Sequence, residues 1–252
     1  MLAEIDGIPM VVLTARRAIK ASLVTRVIVA TDDERIVSAA AAHGLEAVMT
    51  SPEHASGSDR IAEVAERLPA GSIIVNVQGD EPLISPETID RAVEAMLSSD
   101  ADIVTTSEPI DSVDDVFDGN IVKAAVGEDG NAVYFSRSPV PYLRDAAMHH
   151  GGDLRKALLS EPQLLSAFRK HTGLYVYRRE YLLEFTKMPQ SRLEKMEMLE
   201  QLRALENSAR IKVVNASGKS IGVDSEADLE RVRAMFIGGP VEESAPPATA
   251  GG

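Results

Sequence analysis

Gln78-Gly79-Asp80-Glu81-Pro82 follows the apolar run Ser72–Val77 (SIIVNV), which reads as a strand. In open α/β sheets ligands collect beyond the carboxyl ends of the strands, so Asp80 is placed to project into a crevice, with Gly79 letting the backbone turn sharply. A carboxylate there suits a hard cation such as Mg²⁺, which takes one or two carboxylates and fills its octahedron with water and substrate phosphates. The competing reading is a strand-to-helix turn in which Asp80 or Glu81 only caps. A second acid, Asp224, stands in Ile221-Gly222-Val223-Asp224 before Ser225 and a helical stretch. It is either a second metal ligand or, with Ser225, an ordinary N-cap.

Ala30-Thr31-Asp32-Asp33 also ends a strand and opens a helix, so Asp32 or Asp33 caps, or Thr31 and Asp32 rim the same crevice. Ser56-Gly57-Ser58-Asp59-Arg60 is a helix start whose N–H groups, with the Arg60 guanidinium, suit an anion. In His171-Thr172-Gly173-Leu174-Tyr175-Val176-Tyr177, strand alternation puts His171, Gly173, Tyr175 and Tyr177 on one face. That face is either solvent-facing or fit for a hydroxylated ligand. Leu193, Met196, Leu199 and Leu202 have helical spacing beside an acidic ridge of Glu194, Glu197 and Glu200. Periodicity alone makes that ridge a solvated face and gives Glu200 and Gln201 no role.

The elements that must position these residues alternate between β and α. Strands are expected over 26–30, 45–49, 72–77 and 103–106, and helices over 8–21, 34–42, 59–67 and 86–97, the last with Ser85 as N-cap and Pro86 at its first position. Beyond Asp111, a hairpin turns at Glu128-Asp129-Gly130, residues 145–166 read as irregular or helical, and 172–178 and 210–214 as strands. Residues 192–205 and 226–235 read as helices. Such alternation is the pattern of an α/β fold. The closing GGPVEESAPPATAGG cannot bury enough apolar surface to order, so residues 237–252 are expected to be a disordered tail.

Composition narrows the function classes. A formal charge of −13 disfavours a phosphate-tracking surface, so no nucleic-acid partner is expected, while a few arginines still suffice for a small anion. With no cysteine there are no disulfides or thiolate metal sites. No apolar run approaches the ~20 residues of a membrane span, and the acidic N-terminus lacks a signal-peptide n-region, so cytoplasmic residence is the default. Neither a Walker loop nor a GxGxxG occurs.

Taken together the motifs form a series. VATDDERI, SGSDRIAEVAE, VNVQGDEPLI, YFSRSPVPY, HTGLYVYRREYL, LEKMEMLEQLRAL and IGVDSEADLERVR resemble, in order and spacing, the 3-deoxy-manno-octulosonate (Kdo) cytidylyltransferase family. The likeness covers roughly residues 2 to 236. It implies a nucleotide-diphospho-sugar transferase fold, Rossmann-like, with a mixed, mainly parallel sheet sandwiched by helices. It also implies one domain over 1–236, with a dimerisation and sugar-binding insertion at about 111–190, and a homodimer. The implied reaction is CTP + Kdo → CMP-Kdo + pyrophosphate, serving lipopolysaccharide biosynthesis. By the resemblance, Asp80 and Asp224 hold Mg²⁺. Gln78, Arg137, His171, Tyr175, Glu200 and Gln201 line the sugar-acid pocket, and Thr31, Asp32, Ser56 and Arg60 border the nucleotide. The Arg137 fork matches the two oxygens of a carboxylate.

The family carries a strand and a basic loop of the form PARxxSTRLPGK just before the segment matching LAEIDGIPM. Neither is in this sequence. The expectation is therefore that Met1 corresponds to an internal methionine and that the chain as given turns over little. Rival readings are a cytidylyltransferase for 8-amino-Kdo or another sugar acid, and a catalytically silent remnant that still binds ligand. The family's Gly-Val-Asp-Thr reads Gly-Val-Asp-Ser here, which keeps the hydroxyl.

Overall fold

The computed structural model describes residues 1–219 and 221–238. The chain opens not in a helix but in a hairpin of β1 (Glu4–Ile5) and β2 (Ile8–Pro9), turned by Asp6 and Gly7 at φ of 52° and 72°. Asp-Gly is the pair that supplies two left-handed residues in such a turn. Helix α1 (Met10–Ile19) starts only after Pro9. Then come β3 (Val29–Thr31), α2 (Glu34–Ala42), β4 (Ala47–Met49), α3 (Gly57–Ala65), β5 (Ile73–Asn76), α4 (Pro86–Ser98) and β6 (Ile103–Pro109). Asp33 caps α2 by accepting from the Arg35 N–H, and Ser56 caps α3 by accepting from Asp59. Ser85 sits at the N-cap of α4 without a side-chain bond, so Pro86 carries that start.

The second half runs α5 (Val113–Phe117), β7 (Lys123–Val126), β8 (Ala132–Ser136), α6 (Arg144–His149), α7 (Leu154–Ser160), a 3₁₀ turn, β9 (Arg169–Arg178), α8 (Arg179–Phe185), α9 (Arg192–Glu197), α10 (Gln201–Glu206), β10 (Ile211–Asn215) and α11 (Glu226–Gly238). The single helix expected over 192–205 is two helices, broken where Met198 adopts φ 53°. Met196 is 68% exposed, so its helical spacing does not mark packing. Of the tail expected to be disordered, residues 237 and 238 close α11, and 239–252 lie outside the described residues.

A mixed six-stranded sheet lies between helical layers, in the order β10-β6-β9-β7-β8, with β5 pairing β9. β6 and β10 pair in parallel, whereas β9 runs antiparallel to β5, β6 and β7. The ten-residue β9 is the spine: its Tyr175–Arg178 end lies between β5 and β6, and its Lys170 meets β7. β3 and β4 form a separate parallel pair. One face of the large sheet packs Ile74, Ile103 and Tyr177 against Ala62 and Ala65 of α3, Phe185 of α8 and Leu202 of α10. The other packs Val104, Leu174 and Val176 against Ala18 of α1 and Ile89, Val93 and Met96 of α4. Ile5, Met10, Leu229 and Val232 form a smaller cluster joining the opening hairpin to α11.

Candidate active site

Three sets of side chains meet at the carboxyl end of β5. The first is the loop itself. Gln78 accepts from the Glu81 N–H at 3.1 Å through its carbonyl, and Gly79 accepts 3.1 Å from the Thr14 hydroxyl, which also reaches Met10 O at 3.1 Å. Thr14 is buried, and no signal in the sequence marks it as the tie between α1 and this loop. Gly79 is not in the left-handed region. A Cβ there would stand 2.8 Å from Met1 Sδ and 3.5 Å from Val11 Cγ2, so a side chain at this position requires the Met1 thioether to move aside.

Asp80 and Asp224, 144 residues apart in the sequence, come together here. The Val223 N–H donates to the Asp80 carbonyl at 3.0 Å. Burial first, and the Asp224 carboxylate as a further contributor, push the Asp80 carboxyl above the usual aspartate range. Capping of α11 is done by Ser225, whose hydroxyl accepts from Asp228 N at 3.2 Å. Asp224 is thus spared the role that its position before a helix suggested.

The second set borders α3. Arg60 pairs with Asp32 at 3.1 Å and donates to Thr50 Oγ1 at 2.6 Å. Thr31 Oγ1 accepts from the Asp33 N–H at 3.1 Å, which fixes the end of β3. Gln78 Nε2 lies 3.7 Å from where a Gly57 Cβ would be, so Gln78 and the start of α3 approach each other. Thr31, Asp32, Ser56, Arg60 and Gln78 are therefore gathered around one helix N-terminus.

The third set lies on β9 and the α9–α10 corner. His171 contacts the Tyr175 ring at 5.3 Å and the Phe135 edge at 5.1 Å, and Tyr175 stacks on Tyr177 at 5.8 Å. Gly173, with φ 76°, lies within the register shift opposite Thr105–Ser107, and with Gln78 it lines a small crevice. Thr105 Oγ1 donates its proton to Leu174 O at 2.7 Å, so at 2.8 Å from His171 Nε2 it accepts. That network assigns the Nε2–H tautomer and leaves Nδ1 as an acceptor. Burial lowers His171 to about 4, keeping the ring neutral near pH 7, and raises Tyr175 well above the usual phenol.

The acidic ridge expected to be solvated is largely spent inside. Glu194 is 5% exposed and pairs with Arg203 at 2.7 Å. Glu200 accepts from Ser56 Oγ at 3.1 Å, Ser58 Oγ at 2.7 Å and Arg203 Nη2 at 3.2 Å. It thereby ties α10 to the start of α3, joining the second and third sets. Gln201 is buried beside it at the first position of α10. Glu197, the middle member of that ridge, accepts from Ser136 Oγ at 2.7 Å and from the Arg137 N–H at 2.9 Å. Arg137 in turn donates to the carbonyls of Glu197, Gly119 and Met198 at 2.7, 2.9 and 3.4 Å. Three of its five N–H groups are used, leaving one on each terminal nitrogen.

Among the described residues no group of three or more acids and histidines could hold a metal by itself, and no helix is long and apolar enough to cross a membrane. Two neighbouring carboxylates beside an anion-favouring helix start instead suit a cation shared with a phosphate-bearing ligand.

A family model described as "Cytidylyltransferase" matches residues 1–211. The chain is 52% identical over 233 residues to a 3-deoxy-manno-octulosonate cytidylyltransferase of Geotalea daltonii, covering 92% of this chain and 89% of the relative. It is 45% identical over 238 residues to the protein of that name in Neisseria meningitidis, covering 93% and 90%. A solved CMP:2-keto-3-deoxy-manno-octonic acid synthetase complexed with CTP superposes with a TM-score of 0.82 at 35% identity, over 94% of this chain and 90% of that one. A 4-diphosphocytidyl-2C-methyl-D-erythritol synthase from Anaerococcus prevotii, at 12% identity and a TM-score of 0.58, shares the fold. The mixed sheet between helices, the order of the motifs and these relatives agree: the chain belongs to the cytidylyltransferase family.

Proposed function

We propose that this chain transfers CMP from CTP to the anomeric hydroxyl of Kdo, releasing pyrophosphate, and does so as a homodimer with Mg²⁺. The observation that carries the reading is the meeting of Asp80 and Asp224, joined by the Val223 N–H to Asp80 carbonyl bond at 3.0 Å. Burial first, and the Asp224 charge after it, raise the Asp80 carboxyl, and a cation held by the two carboxylates would relieve both costs. When bound, Mg²⁺ supplies charge neutralisation at the phosphates and orients them.

The chain's own residues position the reactants. The anomeric oxygen forms a bond to the α-phosphorus as the bond to the bridging oxygen breaks, pyrophosphate departs with that oxygen, and the hydroxyl proton passes to solvent, with no covalent enzyme intermediate. Catalysis is then chiefly orientation and electrostatics. The α3 start with Ser56 and Arg60, together with Thr31 and Asp32, borders the nucleotide. Arg137 offers its two remaining N–H groups to the sugar-acid carboxylate, from a guanidinium whose rotation three carbonyls prevent. Neutral His171 offers Nδ1 to a sugar hydroxyl, and Tyr175, Gln78 and Gln201 complete that wall. Glu200, already holding Ser56 and Ser58, couples the placement of the sugar acid to that of the nucleotide.

The test is pyrophosphate release by the purified chain with Mg²⁺, the four common nucleoside triphosphates and a panel of sugar acids. CTP with Kdo is expected to give the highest rate. A preference for another base or sugar acid would remove the assignment, and binding of both substrates without turnover would favour the silent remnant over the active enzyme.

A further inference from the structure

Residues 50–55 join β4 to α3 and end at Ser56, the cap of α3, which borders the nucleotide in the function proposed above. Two side chains one turn apart on α3 reach back to hold this loop. Arg60 donates to Thr50 Oγ1 at 2.6 Å and to Ser51 O at 3.5 Å. Glu63 Oε2 accepts from the Ser51 N–H at 2.9 Å and lies 2.6 Å from His54 Nε2, while Oε1 accepts from Arg67 Nη2 at 3.1 Å. The Ser51 N–H first, and His54 after it, hold the Glu63 carboxyl below the usual glutamate range. A charged carboxylate only accepts, so His54 Nε2 carries the hydrogen and donates it.

The two ends of the loop are tied differently. Its entry is fixed without His54, because the Thr50 N–H donates to Thr31 O at 2.9 Å and Arg60 and Glu63 both grip Thr50 and Ser51. Its exit has little else to hold it. Pro52, Glu53 and Ala55 are exposed, and among the described residues the carbonyls of 52–55 accept no backbone hydrogen bond. Take the His54 bond away, and what remains between Ser51 and the Ser56 cap, among the described residues, is the Glu53 N–H bond to Ser51 Oγ at 3.1 Å. An exposed stretch so lightly tied regains many backbone states. Ser56 also donates toward Glu200 at 3.1 Å, so a shift of the exit reaches both substrate sides of the candidate site.

We propose that His54, clamped by Glu63, is a positioning residue for the nucleotide: it holds residues 52–55, and with them the Ser56 start of α3, in the form that binds CTP. His54 acts through the loop and touches no reacting atom. The inference rests on the nucleotide side assigned above. A chain whose loop holds the binding form only a tenth of the time binds about tenfold more weakly. The pair itself adds little to global stability, since its side chains are 22% and 24% exposed. A His54 that served stability alone would lower the melt and leave the affinity of the folded chain as it was.

The test is calorimetric binding of CTP with Mg²⁺ to the full chain and its variants, which needs no turnover. His54→Ala is expected to raise the Kd about tenfold, with a melt like that of the unsubstituted chain. His54→Gln, whose amide N–H can donate to Glu63 in place of the imidazole, should restore most of the affinity. In a Glu63→Ala background, adding His54→Ala should change the Kd no further, because the partner is already gone. Equal CTP affinity in His54→Ala and the unsubstituted chain overturns the proposal. So does a loss that glutamine fails to rescue, one that adds to Glu63→Ala, or one matched by a collapse of the melt. If the unsubstituted chain binds no CTP, the nucleotide site itself falls, and this role falls with it.

Discussion

The two halves of the candidate site are held in different ways. On the β9 side, Arg137, Glu194, Glu197, Glu200 and Arg203 use their charged groups on one another, on serines and on backbone carbonyls, so the pocket wall is braced before any substrate arrives. On the β3 side, a two-stranded sheet stands apart from the rest across an apolar slot, and Arg60 with Asp32 is a main polar tie there. A cross-braced region keeps its geometry through many bonds. A region that stands apart keeps it only through the helices packed against it.

Breaking the brace should have the largest effect. Arg203→Met leaves Glu194 charged and buried at 5% exposure, and removing one partner of a buried pair costs about 3–5 kcal/mol. Denaturant melts should show that loss. A drop under 1 kcal/mol would mean that the β9 side is no more tightly bound than the β3 side.

Next comes the carboxylate pair between the two halves. Asp80→Asn is expected to lower kcat about 100-fold or more, as loss of a principal charge-stabilising group does, while leaving thermal stability equal or slightly raised because a like-charge contact disappears. Steady-state pyrophosphate release and a melt on the same sample separate the two effects. Retained turnover would remove Asp80 from the chemistry.

A pH series sharpens the contrast further. His171 is neutral when folded, with its value lowered from 6.5 to about 4, so the unfolded state takes up a proton first. The stabilisation tied to the neutral ring is complete above pH 6.5 and is lost as pH falls from 6.5 toward 4, by at most about 3 kcal/mol. His171→Asn should flatten that part of the profile. Identical profiles for the two proteins would contradict the burial argument. The smallest effect is expected at the β3 tie: Asp32→Ala should cost at most about 1 kcal/mol, as partly exposed ion pairs do, and appear mainly as a raised KM for CTP.

Much of this was legible in the sequence where local rules act alone. Glu34–Ala42 is the helix that its cap and composition announce, and the apolar run before Gln78 is a strand. The Asp-Gly turn at residues 6 and 7 was equally readable, but an apolar run in Ile8–Pro9-Met10 with helical continuation masked it. The break at Met198 was not readable, because Leu193, Met196, Leu199 and Leu202 fit one helix. The left-handed residue there sends Glu197 to β8 and Glu200 to α3, which is a tertiary demand. The burial of Glu194 likewise depends on Arg203, and i+9 pairs carry no periodic signature. Asp80 and Asp224 were separable from ordinary caps only by their company. Distance in the chain says nothing of the Val223 bond that unites them.

Lys123, wholly buried on β7, directs its ammonium at the carbonyls of Asp118, Ile121 and Arg137, at 2.8, 2.6 and 2.5 Å. Sliding β7 against β8 by a single residue would put Ala124 at that spot and throw the lysine to the opposite face. A methyl group cannot answer three acceptors, and a stranded ammonium cannot stay dry. The hairpin that carries Arg137 therefore has one admissible alignment, and the lysine acts as its proofreader: any chain that mispairs there is marked by an uncompensated charge and comes apart before it can persist.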